Sequence, residues 1–255
     1  MRLVSYDRSG TRRLAAWVDD VVVDLPDAVG HPAFPGTLES LLAGNGGTTL
    51  DAARAALEYP GAIAEFAVPR AKMLSPLALS GAPPATVLEP GHSLTAPPAG
   101  TELVFRPQLA GIIGRAGSDL DETEAARALF GYTLVNAWSL RRLGERVLQP
   151  VGTSIGPSVA TGDEFDPSGR SLMVTIDGTP VRQTRIGKGV RDRFVRTVVR
   201  ASRKDGVKPG EIYGLSPFTS PIPVPTRRRR KGAPPMSVVV ELAGIGRLQN
   251  DVRPR

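Results

Sequence analysis

Two histidines and no cysteine define the chemical repertoire of this 255-residue chain. Without cysteine there is no disulfide, no thiolate metal ligand and no cysteine nucleophile. Histidine-rich zinc chemistry lacks its ligands as well. His31, between Gly30 and Pro32, reads as structural, and His92, after Pro90-Gly91, as a solvent-exposed turn residue. The pairs Gly111-x-x-Gly114 and Gly244-x-Gly246 are too short for a nucleotide loop, and neither opens a helix. What is concentrated is positive charge. The formal charge is +7, yet Arg182 to Lys231 hold 15 basic residues against three acids, Asp192, Asp205 and Glu211. Such asymmetry points to an anionic partner near that stretch. Its densest part is Arg227-Arg228-Arg229-Arg230-Lys231, which reads equally well as a solvated loop. Nucleic acid is disfavoured, because only 5% of residues are aromatic and no nucleic-acid-binding motif accompanies the run.

The elements that must position any site follow from periodicity and punctuation. With 41% hydrophobic and 22% charged residues the composition is that of an ordinary globular protein. No apolar run approaches the roughly eighteen residues of a membrane span, and the N-terminus lacks a signal-peptide pattern, so a cytoplasmic protein is expected. Leu3, Val4 and Tyr6, a turn at Arg8-Ser9-Gly10, then Leu14, Trp17 and Val18 predict a hairpin, followed by a third strand at Val21-Val22-Val23. Short helices are expected over 37–43, capped by Thr37 and ended by Gly44, and from about Leu50 to Tyr59. The proline-, glycine- and alanine-rich stretch 69–98 reads as a linker and an extended, weakly regular segment. Beyond residue 100, strands are expected at Leu109–Ile113, Tyr132–Val135, Leu172–Ile176 and Ser237–Leu242. A helix from Asp121 to Phe130 is capped by acids and stopped by Gly131. Val190, Phe194, Val195, Val198 and Val199 follow helical spacing, which makes about 190–203 an amphipathic helix with arginines outside. Val207-Lys208-Pro209-Gly210-Glu211 reads as a turn into a strand. Strands dominate, so the fold class is α+β, mostly β.

The order of several segments carries a resemblance. GIIGR at Gly111–Arg115, GYTLVNAWS at Gly131–Ser139, IGP at Ile155–Pro157 and DGTPVRQ at Asp177–Gln183 come first. KPGEI at Lys208–Ile212 and ELAGIGRLQNDV near the end complete the series. Together they resemble the fumarylacetoacetate hydrolase superfamily over nearly the whole chain. The resemblance implies a mixed β-roll C-terminal domain, residues 71–255, around a metal-centred cleft. A small N-terminal α/β domain, residues 1–70, precedes it. It also implies a homodimer and chemistry that cleaves or decarboxylates oxo-acids.

The family's functional positions are altered here. Its Glu-x-Glu and the Asp of its Asn-Asp-x-Ser stretch hold Mg²⁺ or a similar hard cation. The same positions read Arg106, Gln108 and Ala137. A hard cation needs carboxylate oxygens, so no metal and no other cofactor are expected. The family's water-activating His–Glu segment is missing, since Lys72-Met73-Leu74 runs almost directly into GAPPATVLEPG. Its lysines are replaced around Gly81 and at Gly152-Thr153-Ser154, and its Thr-Gly-Thr-Pro turn reads Gly214-Leu215-Ser216-Pro217. By the resemblance, Arg141, Gln183 and Ser216 are the catalytic candidates, Arg141 as a clamp for a carboxylate or enolate. Arg106, Gln108, Tyr132, Asn136, Trp138 and Ser139 are the substrate-binding candidates. Trp138 reads equally as a packed core indole.

Three functions are compatible with this pattern. The cleft is reused by a metal-independent biosynthetic enzyme that cyclises, dehydrates or decarboxylates a polyketide-like or oxo-acid substrate. Alternatively the protein is a catalytically silent binding or structural subunit, or it keeps residual C–C or C–O hydrolysis with a rearranged metal site. The expected partners are a small anionic organic substrate and an acidic carrier protein at the Arg227–Lys231 loop.

Overall fold

The computed structural model describes residues 1–44, 47–69, 73–77, 87–89, 92–226 and 232–255. The Arg227–Lys231 run, Lys72, the stretch 78–86 that includes Gly81, and the Pro90-Gly91 pair lie outside the described residues.

The chain opens with the expected hairpin, β1 (Arg2–Arg8) and β2 (Thr11–Val18), in register from Leu3↔Ala16 to Arg8↔Thr11. Its turn needs left-handed backbone, supplied by Ser9 (φ 54°) and Gly10 (φ 85°). After β3 (Val21–Asp24), Asp24 caps the short α1 (Leu25–Val29) by accepting the backbone N–H of Asp27, a helix not foreseen from the sequence. Thr37 caps α2 (Leu38–Ala43) as expected, and Gly44 ends it. The next helix, α3 (Gly47–Glu58), starts three residues before Leu50. α4 (Ala62–Glu65), β4 (Ala67–Val68) and β5 (Met73–Leu74) complete the N-terminal part.

Three long antiparallel strands follow the short β6 (Ser93–Thr95): β7 (Thr101–Ile113), β8 (Leu129–Arg142) and β9 (Gln149–Thr161). α5 (Glu122–Ala128) lies between β7 and β8, with a capping box made by Asp121 and Glu124. It ends before the expected Phe130, because Leu129 already belongs to β8. Gly131 is therefore not a helix stop. It sits inside β8 where a Cβ atom would lie 2.4 Å from the Ala160 carbonyl oxygen, so only glycine lets β8 and β9 approach. The remaining elements are β10 (Ser171–Ile176), β11 (Thr179–Arg185), α6 (Val190–Asp205), β12 (Ile212–Leu215), β13 (Ile222–Pro223), β14 (Met236–Leu242) and β15 (Gly246–Arg253).

Two sheets result. The larger runs β12-β7-β8-β9-β1-β2-β3-β4, and the smaller β11-β10-β14-β15-β6. The smaller sheet is mixed, since β6 lies parallel to β15. β1 pairs with β9 through Arg2↔Ala160 and Leu3↔Val159, so the ladder runs from the N-terminal hairpin into the long strands. The main core fills the space between the sheets, with Leu103, Phe105, Leu109, Leu134 and Trp138 among its residues and Leu172, Val174, Val238 and Val240 from the smaller sheet. A second core packs Leu38, Leu41 and Leu42 of α2 against Leu3, Leu14 and Ile112. α6 adds Phe194 to the main core and packs Val198 with Ala125 of α5. Among the described residues no helix is long and apolar enough to cross a membrane.

Candidate functional site

Alternation along β7 and β8 decides which side chains can share a site. Successive residues of a strand point to opposite faces, and directly paired residues share a face. On β7, Leu103, Phe105 and Leu109 point into the core between the sheets, so Arg106 and Gln108 point away from it. Arg106 pairs with Ala137, which pairs with Thr153; Gln108 pairs with Val135, which pairs with Ile155. These two adjacent rows lie on the face that α2 partly covers.

Gln108, Val135, Thr153 and Ile155 form the floor of a cavity of about 730 Å³. Leu77 and the α2 residues Glu39 and Ala43 line one side, and the end of α6 with the turn Lys208–Glu211 lines the other. Gly214 of β12 lies against this side chain, since a Cβ there would fall 1.6 Å from Oε1 of Gln108 and push the amide aside. The glycine thus seats the Gln108 amide. Beside the cavity, the Tyr213 hydroxyl donates to Oε2 of Glu211 at 2.8 Å. Burial, and then this carboxylate, push the Tyr213 hydroxyl up to about 12, so it stays a protonated donor at neutral pH.

The sequence-based candidates separate into three groups. Arg106, Gln108, Ser139 and Arg141 share the cavity's face, although only Gln108 belongs to its lining. Arg106 is half-buried, and no ion pair or hydrogen bond holds it among the described residues. Arg141 pairs in register with Glu102, and its Nη2 donates to Oε2 of that residue at 2.7 Å. Tyr132, Asn136 and Trp138 point the other way, into the space between the sheets, and all three are buried. Trp138 stacks near Phe105 with ring centroids 5.1 Å apart, and its indole N–H donates to Ser154 Oγ at 3.1 Å. Asn250 Nδ2 donates to the same oxygen at 2.8 Å. Asn136 is fully buried, and neither Oδ1 nor Nδ2 has a partner among the described residues. The Tyr132 ring sits between Phe165 and Phe194, and burial raises its hydroxyl's pKa although Arg191 works against the shift.

Gln183 and Ser216 lie elsewhere. Gln183 belongs to β11, an edge strand of the smaller sheet, and its Nε2 donates to Ser171 Oγ at 2.8 Å. Ser216 locks the turn after β12: its hydroxyl donates to the Pro107 carbonyl at 3.0 Å and accepts the Phe218 N–H at 3.2 Å. Arg141, Gln183 and Ser216 are not brought together. His92 is exposed, as expected; His31 is exposed as well, and its Nδ1 accepts the Ala33 N–H at 3.2 Å. The residues that sequence reasoning missed are Glu39, Leu77 and the Glu211–Tyr213 pair. Only the Lys208–Ile212 segment carried a signal, and it marked a turn.

The metal positions implied by the family resemblance are adjacent in space, since Arg106 faces Ala137 across the ladder and Gln108 lies two residues along the same face. They offer a permanent cation, one neutral amide and a methyl group. A hard divalent ion needs several oxygens, carboxylates among them, so these residues do not fit it. Among the described residues no cluster of three His, Asp or Glu could hold a metal elsewhere.

Residues 53–253 match the model of the fumarylacetoacetate (FAA) hydrolase C-terminal family. No curated protein sequence matches the chain. Solved structures do. Maleylpyruvate hydrolase from Sphingobium sp. SYK-6 superposes with a TM-score of 0.72 at 18% identity, covering 100% of both chains. Fumarylacetoacetate hydrolase from Exiguobacterium antarcticum gives 0.64 at 16% identity, again over 100% of both. 5-Carboxymethyl-2-hydroxymuconate delta-isomerase from Mycobacterium smegmatis gives 0.66 at 18%, over 100% of this chain and 99% of that one. The Sphingobium enzyme is also solved with manganese (II) and pyruvate. At such identities the likeness concerns the fold. It is the family match, spanning most of the sequence, that places the chain in the fumarylacetoacetate hydrolase family.

Proposed function

We propose that the protein is a small-molecule enzyme that uses this family's cleft without a divalent cation. Its substrate is a small organic anion of oxo-acid or polyketide-like type, and its reaction a biosynthetic cyclisation, dehydration or decarboxylation. The observation that carries this reading is Arg106: a half-buried guanidinium without an acidic partner among the described residues, on the cavity's face and two residues along β7 from Gln108 of its lining. The small Ala137 beside it leaves that guanidinium room over the sheet.

A planar guanidinium binds a carboxylate through two parallel hydrogen bonds. The same charge stabilises an enolate as it develops, provided water is excluded. Gln108 and Thr153 supply neutral donors on the floor. Arg141 and Ser139 extend the same face toward the rim, where a substrate carboxylate would have to displace Glu102 from Arg141. An acidic carrier protein at Arg227–Lys231 and a homodimer belong to the proposal too.

The second reading, a silent binding subunit, is favoured by the dispersal of Arg141, Gln183 and Ser216 and by the Arg141–Glu102 ion pair. Calorimetry with oxaloacetate as probe separates the readings that involve metal from those that do not. Binding should be the same with EDTA and with added Mg²⁺ or Mn²⁺, and Arg106→Ala should weaken it on the order of tenfold or more. Binding that requires the metal, or that ignores Arg106→Ala, overturns the proposal. Disappearance of oxaloacetate above background in the wild type but not in Arg106→Ala would favour the enzyme over the silent subunit.

A further inference from the structure

Helix α6 keeps its apolar and cationic residues on opposite sides. Val190, Phe194, Val198 and Ser202 recur every fourth residue and are buried. Arg193, Arg196, Arg200 and Arg203, at steps of three, four and three, are all exposed and form a row along the other side. At 1.5 Å per residue that row is about 15 Å long. Several arginines elsewhere are neutralised locally: Arg8, Arg12, Arg13, Arg54 and Arg141 all pair with aspartate or glutamate. None of the four arginines of this row has an ion pair among the described residues. The neighbouring Lys204 meets only Asp205 of its own helix, at 3.6 Å. Like charges three and four residues apart destabilise a helix, so the row is a feature that folding alone does not favour. Three of its arginines line a groove of about 540 Å³ beside α5, with Val199 as its apolar contact and Glu122 as its one acid.

We propose that this row docks an acidic α-helix of a partner protein. A helix repeats carboxylates at the same three- and four-residue steps, so the opposing charges stay in register over about three turns. Val199 offers the apolar contact that such a helix would cover. The surface suits other polyanions less well. The exposed large hydrophobic side chains are Tyr59, Leu143 and Val147, none of them on α6, so this face offers neither a stacking platform for bases nor a wedge for a bilayer. The inference does not depend on the cleft being catalytic.

Fluorescence anisotropy tests it with the full chain and a labelled alanine-based helical peptide carrying glutamates at three- and four-residue steps. A control peptide has the same composition with its glutamates spread around the helix. The matched peptide should bind on the order of tenfold more tightly than the control, with an affinity that falls as salt rises. The double variant Arg196→Gln/Arg200→Gln, checked for unchanged helicity by circular dichroism, should lose a similar factor. Equal binding of the two peptides, or unchanged binding by the double variant, overturns the proposal. So does tighter binding of a single-stranded oligonucleotide or of phosphatidylserine vesicles at the same salt.

Discussion

Replacing Asn136 by leucine should make the protein more stable. Asn136 is fully buried in the core between the sheets, and neither end of its amide has a hydrogen-bond partner among the described residues. An unsatisfied buried polar group costs about 1–3 kcal/mol. Leucine has the branched shape of asparagine with somewhat larger methyl ends, and it removes both orphaned atoms at once. The swap creates no new orphan nearby, because Ser154 Oγ keeps its bonds from Trp138 and Asn250. A net gain of about 2 kcal/mol is expected, which for a chain of this size raises Tm by about 4–8 °C. Urea unfolding followed by circular dichroism and by tryptophan fluorescence measures it, since Trp138 reports on this part of the core. A loss of more than about 1 kcal/mol would refute the reasoning, because it would mean that Asn136 is satisfied by tightly held internal water. If the leucine variant is more stable but loses oxaloacetate binding, the amide is kept for function at the expense of stability.

Two further outcomes follow from the framework around the site. Burial alone would raise the Asp24 carboxyl pKa, yet bonds from Arg13 and Tyr6 and the Asp27 N–H outweigh it and hold the group below the ordinary range. The stabilisation it gives is complete above the unfolded carboxylate pKa and fades as pH falls through the folded value. Asp24→Asn should therefore flatten the acid limb of the stability–pH curve and lower stability at pH 7 by about 2–3 kcal/mol, and a superimposable acid limb would refute this. Gly131→Ala should cost about 3 kcal/mol or more in denaturant unfolding, because its Cβ would press on backbone atoms of Ala160 and Thr161 that cannot rotate away. Gly187→Ala, with nothing within 4 Å, is the control, and equal losses from the two would refute the role given to Gly131.

The elements legible in the sequence were those whose signals are local. Thr37 and Gly44 bound a helix through their own capping chemistry, and the buried positions of α6 repeat every four residues whatever surrounds them. The long strands were read short for a non-local reason. β8 spans 14 residues, but only Tyr132–Val135 look like a buried strand, because Asn136 and Ser139 interrupt the apolar run. β9 contains Gly152, Gly156, Pro150 and Pro157, which ordinarily break strands. At Gly152 the reason is visible: Leu88 packs within 3.0 Å of where a Cβ would be. The candidate site was less legible still. Its floor comes from three strands and its walls from α2, Leu77 and the turn before β12. Spacing along the chain does not report such neighbours. The register does, and it assigns Arg106 and Gln108 to one face and Tyr132, Asn136 and Trp138 to the other.

That division of faces also shows how a scaffold of this kind can keep its packing whatever side chains stand at Arg106, Gln108 and Ala137. Along β7, Phe105 packs against Trp138 in the core while the next residue, Arg106, faces the cleft side. A strand presents alternate residues to two separate environments, so a substitution at an even-numbered position of β7 leaves the odd-numbered packing partners in place. Side chains at Arg106, Gln108 and Ala137 can therefore differ in charge without disturbing Leu103, Phe105 or Leu109. What changes is the ligand that the face can accept. A carboxylate cluster calls for a cation, whereas an unpaired guanidinium beside a neutral amide and a hydroxyl calls for an anion. The charge presented by this face is thus free to vary within a fold that superposes on the solved structures over the full chain.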